Sequence, residues 1–560
     1  MINDLNIAGK KILITCTTIL LVMQAFSQKE VVKGWHLLDA KDDGYHGISL
    51  SKAIALLKDK KAVPVVVAVM DGGLDTSHYA LRNVLWKNSK EIACNNKDDD
   101  GNGYTDDING WNFLGNASGQ NVNKESQEAV RVYHQFKPKF TGKLFDVTNA
   151  GMQDKTDYAL WQRSNELLEA KAEDRIGLMM VEASLHTNRY FDSLIRVEMK
   201  VPEYTAEDLE NFIPKNPITK KAKLGYLRFI DLLGLDRDKT NRQLFNDLDK
   251  MIDQQKELQM GKINPATNFR SVITGDNEDE MSSTCYGNND VMGGTSLHGT
   301  HVSGIIAGLC DSADGNVHGV CKMARIMTVR CVPDGDEHDK DVALGILYAV
   351  KNGAKVINMS FGKDLSPHKH WVDDAIKYAA QNDVLIVHAG GNDAKNTDED
   401  PDYPSPFLMD NEQADNVITV GASGDSSLNC GMIAEFTNYG KETVDVLAPG
   451  VKIYSSIPGN DFAYEQGTSM SAPIVSGLAA LLRSYFPQLS AVAVKNIIEQ
   501  SVDKSMIHQR FKKPGGGNKE KIEMKNICKT GGIVNAYNAV KLAFEITNPT
   551  GKLQVVKSGD

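Results

Sequence analysis

The sequence predicts an α/β protein in which a parallel sheet is covered by helices on both faces. Short runs rich in valine and isoleucine alternate with helical stretches over residues 28–115 and 267–545. Runs such as "VPVVVAVM" and "DVLIVHAGG" are continuously apolar, which is typical of strands buried on both faces. Residues 116–266 are instead charged and helical in pattern. We therefore predict one α/β domain interrupted by a helical insertion.

The N-terminal segment has the pattern of an export signal. Lys10 and Lys11 precede the apolar run "ILITCTTILLVMQAF", and the small-residue sequence "AFS" ends it at Ser27. This order of charged, apolar and small residues predicts a signal peptide over residues 1–27. We expect an exported mature chain, periplasmic or extracellular, without a membrane span. Lipid attachment at Cys16 is the alternative interpretation.

The remaining elements follow in order along the chain. Further strands are predicted at "ARIMTVRCV", "AKVINMSF", "NVITVGA" and "VDVLAPG". In the α/β part we expect helices at 339–352 and 371–382. In the insertion we expect helices within 157–199 and at 205–213, 222–233 and 241–260. Residues 546–560 are predicted to be a loose tail.

Composition excludes several classes of protein. The chain has 560 residues, of which 41% are hydrophobic and 24% charged, as expected of a globular protein. The net charge of −11 and the lack of a lysine or arginine block argue against binding of nucleic acid. Beyond the signal peptide the number of cysteines is odd, so at least one thiol is free. A bridge between Cys310 and Cys321 and a pair of buried thiols both remain open.

An acid and a histidine occupy positions suited to catalysis. Asp71 ends the strand "VVVAVMD", and the carboxyl ends of parallel strands are where such sheets place their sites. His298 lies in the first turn of the small-residue helix "LHGTHVSGIIAGL". Asp75 and His301 are alternative candidates for the two roles. Asp75 lies further from the strand end, and His301 lies one turn into the helix. Taken alone, Asp71 is more consistent with a helix or turn cap than with a catalytic acid.

A serine and an asparagine complete the set. Ser469 opens the apolar helix in "EQGTSMSAPIVSGLAALL", where it is either a helix cap or a nucleophile. The first backbone N–H groups of a helix are unpaired and can stabilise an oxyanion. Asn392 follows the strand "VLIVHAGG" and is either a second donor or a turn residue. The order Asp, His, Ser is one of those known for hydrolytic triads.

Four motifs give the chain a specific resemblance. "VAVMDGGLD", "HGTHVSG", "AGGND" and "GTSMSAP" occur in that order, and "INMSFG" resembles the strand beside a peptide-binding cleft. The sequence resembles the subtilisin-like serine proteases over most of residues 63–115 and 267–500. The resemblance implies a subtilisin-like fold and a serine endopeptidase that acts on peptide or protein substrates through an acyl-enzyme.

The resemblance also implies roles for individual residues. Ser469 would be the nucleophile, His298 the general base, Asp71 its orienting acid and Asn392 an oxyanion donor. One wall of the primary specificity pocket would be Ser360, Phe361 and Gly362. The other would be Ala389, Gly390 and Gly391. A non-catalytic peptide-binding or scaffold protein is the alternative, which the complete set disfavours because a binder needs no base.

The stretch "NKDDDGNGYTDDINGWNF" suggests a calcium site. Side-chain oxygens at alternate positions around two glycines suit a looped Ca²⁺ site. The predicted ligands are Asp98, Asp100, Asn102, Asp106 and the backbone carbonyl of Tyr104. The final glutamate of an EF-hand is absent, and Asp107 is the nearest substitute. A solvated acidic turn is the alternative, and no catalytic cofactor is expected.

Two further segments are expected near the cleft. The insertion leaves after the first strand and returns just before His298, so it either limits access or is a stability or partner-binding appendage. The acidic loop "PDGDEHDKD" at 333–341 raises the hypothesis of a preference for basic residues upstream of the cut bond. Its alternative is a solvated loop that caps the following helix.

Overall fold

A computed structural model describes residues 31–142, 145–169, 172–237, 239–309, 318–428, 430–517 and 520–548. The predicted signal peptide, the end of the predicted tail and Cys310 lie outside the described residues. Of the two residues of the possible Cys310–Cys321 bridge, only Cys321 is described. The six described cysteines, which are Cys94, Cys285, Cys321, Cys331, Cys430 and Cys528, are free thiols.

The centre of the molecule is a seven-stranded sheet in which all neighbouring strands are parallel. This confirms the predicted fold class. The spatial order is β2-β3-β1-β4-β5-β6-β7. The strands are β1 (Val65–Asp71), β2 (Gly110–Asn112), β3 (Ala324–Arg330), β4 (Val356–Met359), β5 (Leu385–Ala389), β6 (Val417–Ser423) and β7 (Val446–Pro449). Only the three-residue β2 has no counterpart among the predicted strands.

Helices pack on both faces of this sheet because its strands are apolar on both faces. Val67 and Val69 of β1 belong to one buried cluster, and Ala68 and Met70, which point the other way, belong to a second. The first face carries α9 (Leu297–Ala307), α12 (Thr468–Tyr485), α13 (Ala491–Gln500) and α14 (Ala536–Thr547), with α1 (Leu50–Leu56) against α14. The second carries α10 (Asp339–Lys351) and α11 (Lys369–Gln381).

Two antiparallel hairpins lie outside the main sheet. One joins β8 (Ile453–Ile457) to β9 (Asp461–Glu465), and the other joins β10 (Arg510–Lys512) to β11 (Lys521–Glu523). The first of these ends two residues before α12, so it delivers the chain to Ser469. Short 3-10 turns occur at Trp35–Leu37, Ser426–Leu428 and Met524–Asn526.

Six helices occupy the segment predicted as an insertion. They are α2 (Glu128–Phe140), α3 (Met152–Leu167), α4 (Ala172–Met199), α5 (Ala206–Asn211), α6 (Pro217–Leu233) and α7 (Asn241–Met260), and the short α8 (Phe269–Thr274) follows. Helices α4 to α7 share a buried cluster of their own, centred on Tyr226, Phe229 and Phe245. The stretch predicted as helical at 157–199 lies within α3 and α4, apart from the residues between these two helices.

Buried ion pairs tie the segment that ends at α8 to the sheet-bearing part. Arg270 of α8 is fully buried and contacts Asp341 of α10 (2.7 Å) and Asp276 (2.8 Å). Lys363 lies 2.7 Å from Glu128 of α2 and 2.9 Å from Asp339. Each buried charge therefore has an opposite charge beside it, without which burial would be strongly unfavourable.

These pairs correct both interpretations of the acidic loop at 333–341. Its carboxylates at Glu337, Asp339 and Asp341 are at most 5% exposed, so the second half of the loop is not solvated. Asp339 and Asp341 pair with lysine and arginine side chains, so they are not free to meet a substrate cation. The acidic residues instead hold the helical segment in place.

One property bears on membranes. Among the helices that could be described, none is both long enough and apolar enough to cross a bilayer.

Candidate active site

Three of the predicted site residues meet at one edge of the sheet because the strands are parallel. Asp71 is the last residue of β1, Ser360 follows β4 directly, and Asn392 lies three residues after β5. Strands β1, β4 and β5 are neighbours in the sheet. Their carboxyl ends therefore bring these side chains to the same rim.

His298 binds Asp71. Its Nδ1 lies 2.9 Å from Oδ2 and 3.0 Å from Oδ1 of Asp71. Asp71 is 4% exposed, and the backbone N–H of Gly72 donates to Oδ1 at 2.7 Å, which fixes the carboxylate. With Nδ1 donating to this carboxylate, Nε2 of His298 is free to accept a proton.

The close approach of α9 to β1 depends on a glycine. A Cβ at Gly299 would lie 2.2 Å from the carbonyl oxygen of Gly73 and 3.1 Å from the Cβ of Asp71. No side chain fits in that space. The glycine of "HGTH" therefore lets the helix bring His298 within hydrogen-bond distance of the acid.

Charges around His298 set its basicity. Burial of the ring acts to lower its pKa, but the Asp71 carboxylate outweighs this, and the net pKa is raised above 6.5. Glu465 of β9 adds to the increase, and Lys250 of α7 opposes it. A raised pKa means that the ring binds a proton more readily than a free imidazole.

The two competing residues have other partners. Asp75 accepts hydrogen bonds from Ser77 and from the backbone N–H of Gly459, which makes it a loop anchor. His301 is fully buried and lies 3.1 Å from the carbonyl oxygen of Ala463, and burial lowers its pKa to about 3. Neither is paired as Asp71 and His298 are.

Ser469 is the second residue of α12 and is half-buried. It follows Gly467, whose φ of 146° is unfavourable for residues with a side chain. Its Oγ donates to the carbonyl oxygen of Ser360 at 3.1 Å, and in the described part of the chain no hydrogen bond joins it to His298. The structure thus pairs the acid with the histidine but holds the serine hydroxyl against the neighbouring strand.

A reciprocal contact fixes the start of α12 on the sheet. Ser360 Oγ donates to the carbonyl oxygen of Ser469 at 3.0 Å and accepts from Asn358 Nδ2 at 2.9 Å. Asn358 in turn accepts from Ser476 of α12 at 2.9 Å. This chain of hydrogen bonds sets the position of the serine backbone relative to β4.

Asn392 lies against the start of α12. Its Oδ1 accepts from the backbone N–H of Thr468 (2.9 Å) and from the Thr468 hydroxyl (3.1 Å). Gly391 N–H donates to the same hydroxyl at 3.1 Å. With Oδ1 occupied in this way, the Nδ2 group is left to donate to another molecule. Asn392 therefore caps the helix through Oδ1, and its Nδ2 group remains available as a hydrogen-bond donor.

The two predicted pocket walls follow β4 and β5. Ser360 and Ala389 are 3% exposed, Gly390 is buried, and Phe361 and Gly391 are partly exposed. The Phe361 carbonyl oxygen lies 2.8 Å from His388 Nε2, which joins the first wall to β5. The exposed Gly362 continues this wall.

In the segment predicted to bind calcium, only some of the predicted ligands lie close together. Carboxylate oxygens of Asp98, Asp100 and Glu91 lie within 4.8 Å of one another. The sequence analysis missed Glu91 because it precedes the alternating stretch. Asp106 is not in this group, since its carboxylate accepts the backbone N–H groups of Asn95 and Asn96.

The other residues of this loop have further partners. Asn102 Oδ1 accepts from the backbone N–H of Tyr104 at 2.7 Å, and the Tyr104 ring packs edge-on against Trp111 and Tyr348. Asp107, the predicted substitute for the EF-hand glutamate, accepts from Tyr348 at 2.6 Å, and burial raises its pKa to about 6. Its carboxylate belongs to the core rather than to the loop.

Comparisons with known proteins agree with this architecture. The family model described as "Subtilase family" matches residues 64–520. A thermophilic serine proteinase of Bacillus sp. (strain AK1) is 39% identical over 208 residues, which are 37% of this chain and 47% of that protein. Thermitase of Thermoactinomyces vulgaris is 38% identical over 208 residues, or 37% and 67% of the two chains. Subtilisin DY of Bacillus licheniformis is 36% identical over 201 residues, or 36% and 68%.

The extent of these matches varies. The alignment spans about half the length of the thermophilic proteinase and 21% of the cell wall-associated protease of Bacillus subtilis (strain 168). A solved protease structure from Pseudoalteromonas arctica PAMC 21717 covers 91% of this chain at 19% identity, with a TM-score of 0.44. The family model, by contrast, extends over well more than half of the chain. The chain therefore belongs to the subtilase family.

Proposed function

We propose that the chain is a serine endopeptidase that hydrolyses peptide bonds through Asp71, His298 and Ser469. The observation that carries the proposal is the Asp71–His298 pair, held at the same sheet edge as the start of α12. The alternative, a peptide-binding or scaffold protein, gives no reason for an imidazole whose pKa a buried carboxylate raises. Membership of the subtilase family supports the same conclusion.

The proposed reaction begins with a rotation of the Ser469 side chain. Its hydroxyl leaves the Ser360 carbonyl and turns to His298 Nε2, which takes the proton as the oxygen attacks the substrate carbonyl. Asp71 stabilises the resulting imidazolium. The histidine then protonates the leaving amine, and an ester on Ser469 remains. Water hydrolyses this ester with the same histidine as base.

Two donors would stabilise the oxyanion of the tetrahedral intermediate. The backbone N–H of Ser469 has no carbonyl partner within its helix, because it lies in the first turn. Asn392 Nδ2 is the second donor, oriented by the bonds that Thr468 makes to Oδ1. Both are in place before the reaction, so little reorganisation is needed as charge develops.

We expect Ser469→Ala to remove hydrolysis of a fluorogenic peptide and labelling by a fluorophosphonate. Asn392→Ala should lower kcat by about 10²–10³-fold with a small change in KM, since the lost donor acts in the transition state. Ser426→Ala, at an exposed serine, is the control and should match the wild type. Undiminished turnover by Ser469→Ala would rule out the proposed nucleophile.

The proposed base also predicts a pH dependence. The neutral ring is the active form, so kcat/KM should rise with pH through a midpoint above 6.5. In Asp71→Asn the carboxylate is lost and burial is the largest remaining influence on the ring, so the His298 pKa should fall below that of the wild type. Imidazole titration by NMR measures both values. Asp75→Asn is the matched control, and an equal decrease in that variant would contradict the assignment of Asp71.

We propose further that residues 116–266 form an insertion that restricts access to this site. Ion pairs connect the segment to loops around the site: Lys239 with Glu465 (2.8 Å), Arg163 with Asp400 (2.5 Å) and Lys250 with Asp334 (3.8 Å). Glu465 lies four residues before Ser469. The separate apolar cluster of α4 to α7 supports the division into a catalytic domain and an insertion. The alternative is an appendage for stability or partner binding.

If the insertion restricts access, Arg163→Ala combined with Lys239→Ala should raise cleavage of a folded protein relative to a short peptide. The partly exposed Arg163–Asp400 pair contributes ~0.2–1 kcal/mol and the more buried Lys239–Glu465 pair contributes as well, so the ratio should rise by about 10-fold or more. The control combines Arg189→Ala with Lys256→Ala, which breaks pairs to Asp249 and Glu182 inside the insertion. The same ratio in both double variants would favour the appendage.

We also propose a structural Ca²⁺ site at Glu91, Asp98 and Asp100, with Asn102 nearby. All of these donors are oxygens, as calcium prefers, and like charges this close are costly without a cation. Backbone N–H groups of Asp99 and Asp100 donate to Glu91, which holds the loop in shape around the carboxylates. Calcium would stabilise the loop and take no part in the reaction.

Calcium should raise the melting temperature, and a chelator should lower it. At a concentration 100 times Kd, a bound ion stabilises the fold by ~2.7 kcal/mol. Asp98→Asn and Glu91→Gln should remove this dependence. Asp106→Asn should keep it, because Asp106 lies outside the carboxylate group. A melting temperature that is indifferent to the chelator would exclude the site.

For location, we propose an exported protein. The support is the signal-like pattern of residues 1–27 in the sequence.

A further inference from the structure

An acidic residue lies between the two proposed walls of the specificity pocket. A Cβ built on Gly362, in the first wall, would lie 3.3 Å from Asp402 Oδ2. A Cβ built on Gly391, in the second wall, would lie 2.5 Å from the same oxygen. The two glycines thus locate this carboxylate oxygen between the walls. A side chain at either glycine would crowd it.

The Asp402 carboxylate has no direct bonding partner among the described residues. In the part of the molecule that the structure describes, Asp402 makes no hydrogen bond and no ion pair. The amide nitrogen Nδ2 of Asn438, which a Cβ on Gly391 would approach to 2.2 Å, is buried and likewise without a partner. Buried polar groups are nearly always paired, so the unpaired Asn438 Nδ2 beside the partly exposed Asp402 carboxylate points to a ligand at this glycine.

The nearby cations are already bound to other groups. Lys395 pairs with Asp364, and Lys369 pairs with Asp373 at 2.6 Å. His388 is neutral, since burial lowers its pKa to about 4. The charge of Lys395 acts on Asp402, but no described lysine, arginine or histidine lies within ion-pair distance of the acid between the walls.

The surroundings of Asp402 favour the arrival of a cation. Burial raises the pKa of this carboxyl well above its usual range, and the carboxylates of Asp364, Asp393 and Glu337 raise it further, with Lys395 opposing. A cation beside the oxygen would offset this cost of ionisation. A cavity of about 290 Å³, lined in part by Asp402, Gly390 and His388, adjoins the carboxylate, so the space beside it is open.

We propose that Asp402 selects a lysine or arginine side chain in the residue immediately N-terminal to the cut bond. This rests on the proposed endopeptidase function, which makes the space between the walls a substrate pocket. The acidic loop at 333–341 cannot supply the same preference, because Asp339 and Asp341 are paired within the fold. A long cationic side chain between the walls would reach a partly exposed carboxylate that has no hydrogen bond and no ion pair among the described residues.

The test uses fluorogenic peptides that differ only in the residue before the leaving group: arginine, lysine, glutamine, leucine or phenylalanine. The wild type should cleave the arginine and lysine peptides with the highest kcat/KM. Asp402→Asn preserves shape and removes charge, and it should lower kcat/KM for both basic peptides by about 10–100-fold, as expected for a hydrogen bond to a charged group. The neutral peptides should change by less than about twofold.

Controls separate this proposal from the function on which it rests. Asp410→Asn removes the same charge from the same loop, at an exposed residue that pairs with Lys377, and should keep the wild-type preference. Equal fluorophosphonate labelling of wild type and Asp402→Asn would show that the catalytic serine is intact in both. A wild type that cleaves neutral peptides as well as basic ones, or an equal loss on all five peptides, would overturn the role of Asp402 alone. A wild type that is neither labelled nor active on any peptide would overturn both proposals.

Discussion

The parallel order of the central sheet is the constraint on which the candidate site depends. Strands β1, β4 and β5 are neighbours and run in one direction, so Asp71, Ser360 and Asn392 emerge at a single edge. Two helices complete the site there: α9 brings His298 to Asp71, and α12 begins beside Asn392. An antiparallel neighbour at any of these positions would place one group at the opposite edge. The backbone topology of the sheet therefore determines where these side chains can meet.

The sequence predicted this arrangement where local patterns report it. These local patterns are the continuous apolar strands, the small-residue helix that contains Gly299, and Gly467 near the start of the helix that carries Ser469. The contacts that it did not predict join residues far apart in the chain. Glu91 lies outside the alternating acidic stretch, and the unpaired state of Asp402 depends on lysines whose partners only the fold reveals.

The acidic loop at 333–341 is a second case in which the sequence did not predict the contacts of charged residues. Its composition suggested exposure, but its charges are buried against Lys363 and Arg270. The sequence thus shows which residues are charged, but only the fold shows whether those side chains face solvent, a substrate or each other. In this chain the buried pairs hold the helical segment against the sheet, and partly exposed pairs connect it to Glu465 of β9 and to loops near the candidate site.

The central claim is that Ser469 is a nucleophile activated by His298 and Asp71. The direct measurement is mass spectrometry of the protein after reaction with a fluorophosphonate, with identification of the modified residue. We predict one adduct per chain, located at Ser469 and absent when Asp71 and His298 are both replaced by alanine. An adduct at another residue, or undiminished labelling of Ser469 in that double variant, would contradict the account.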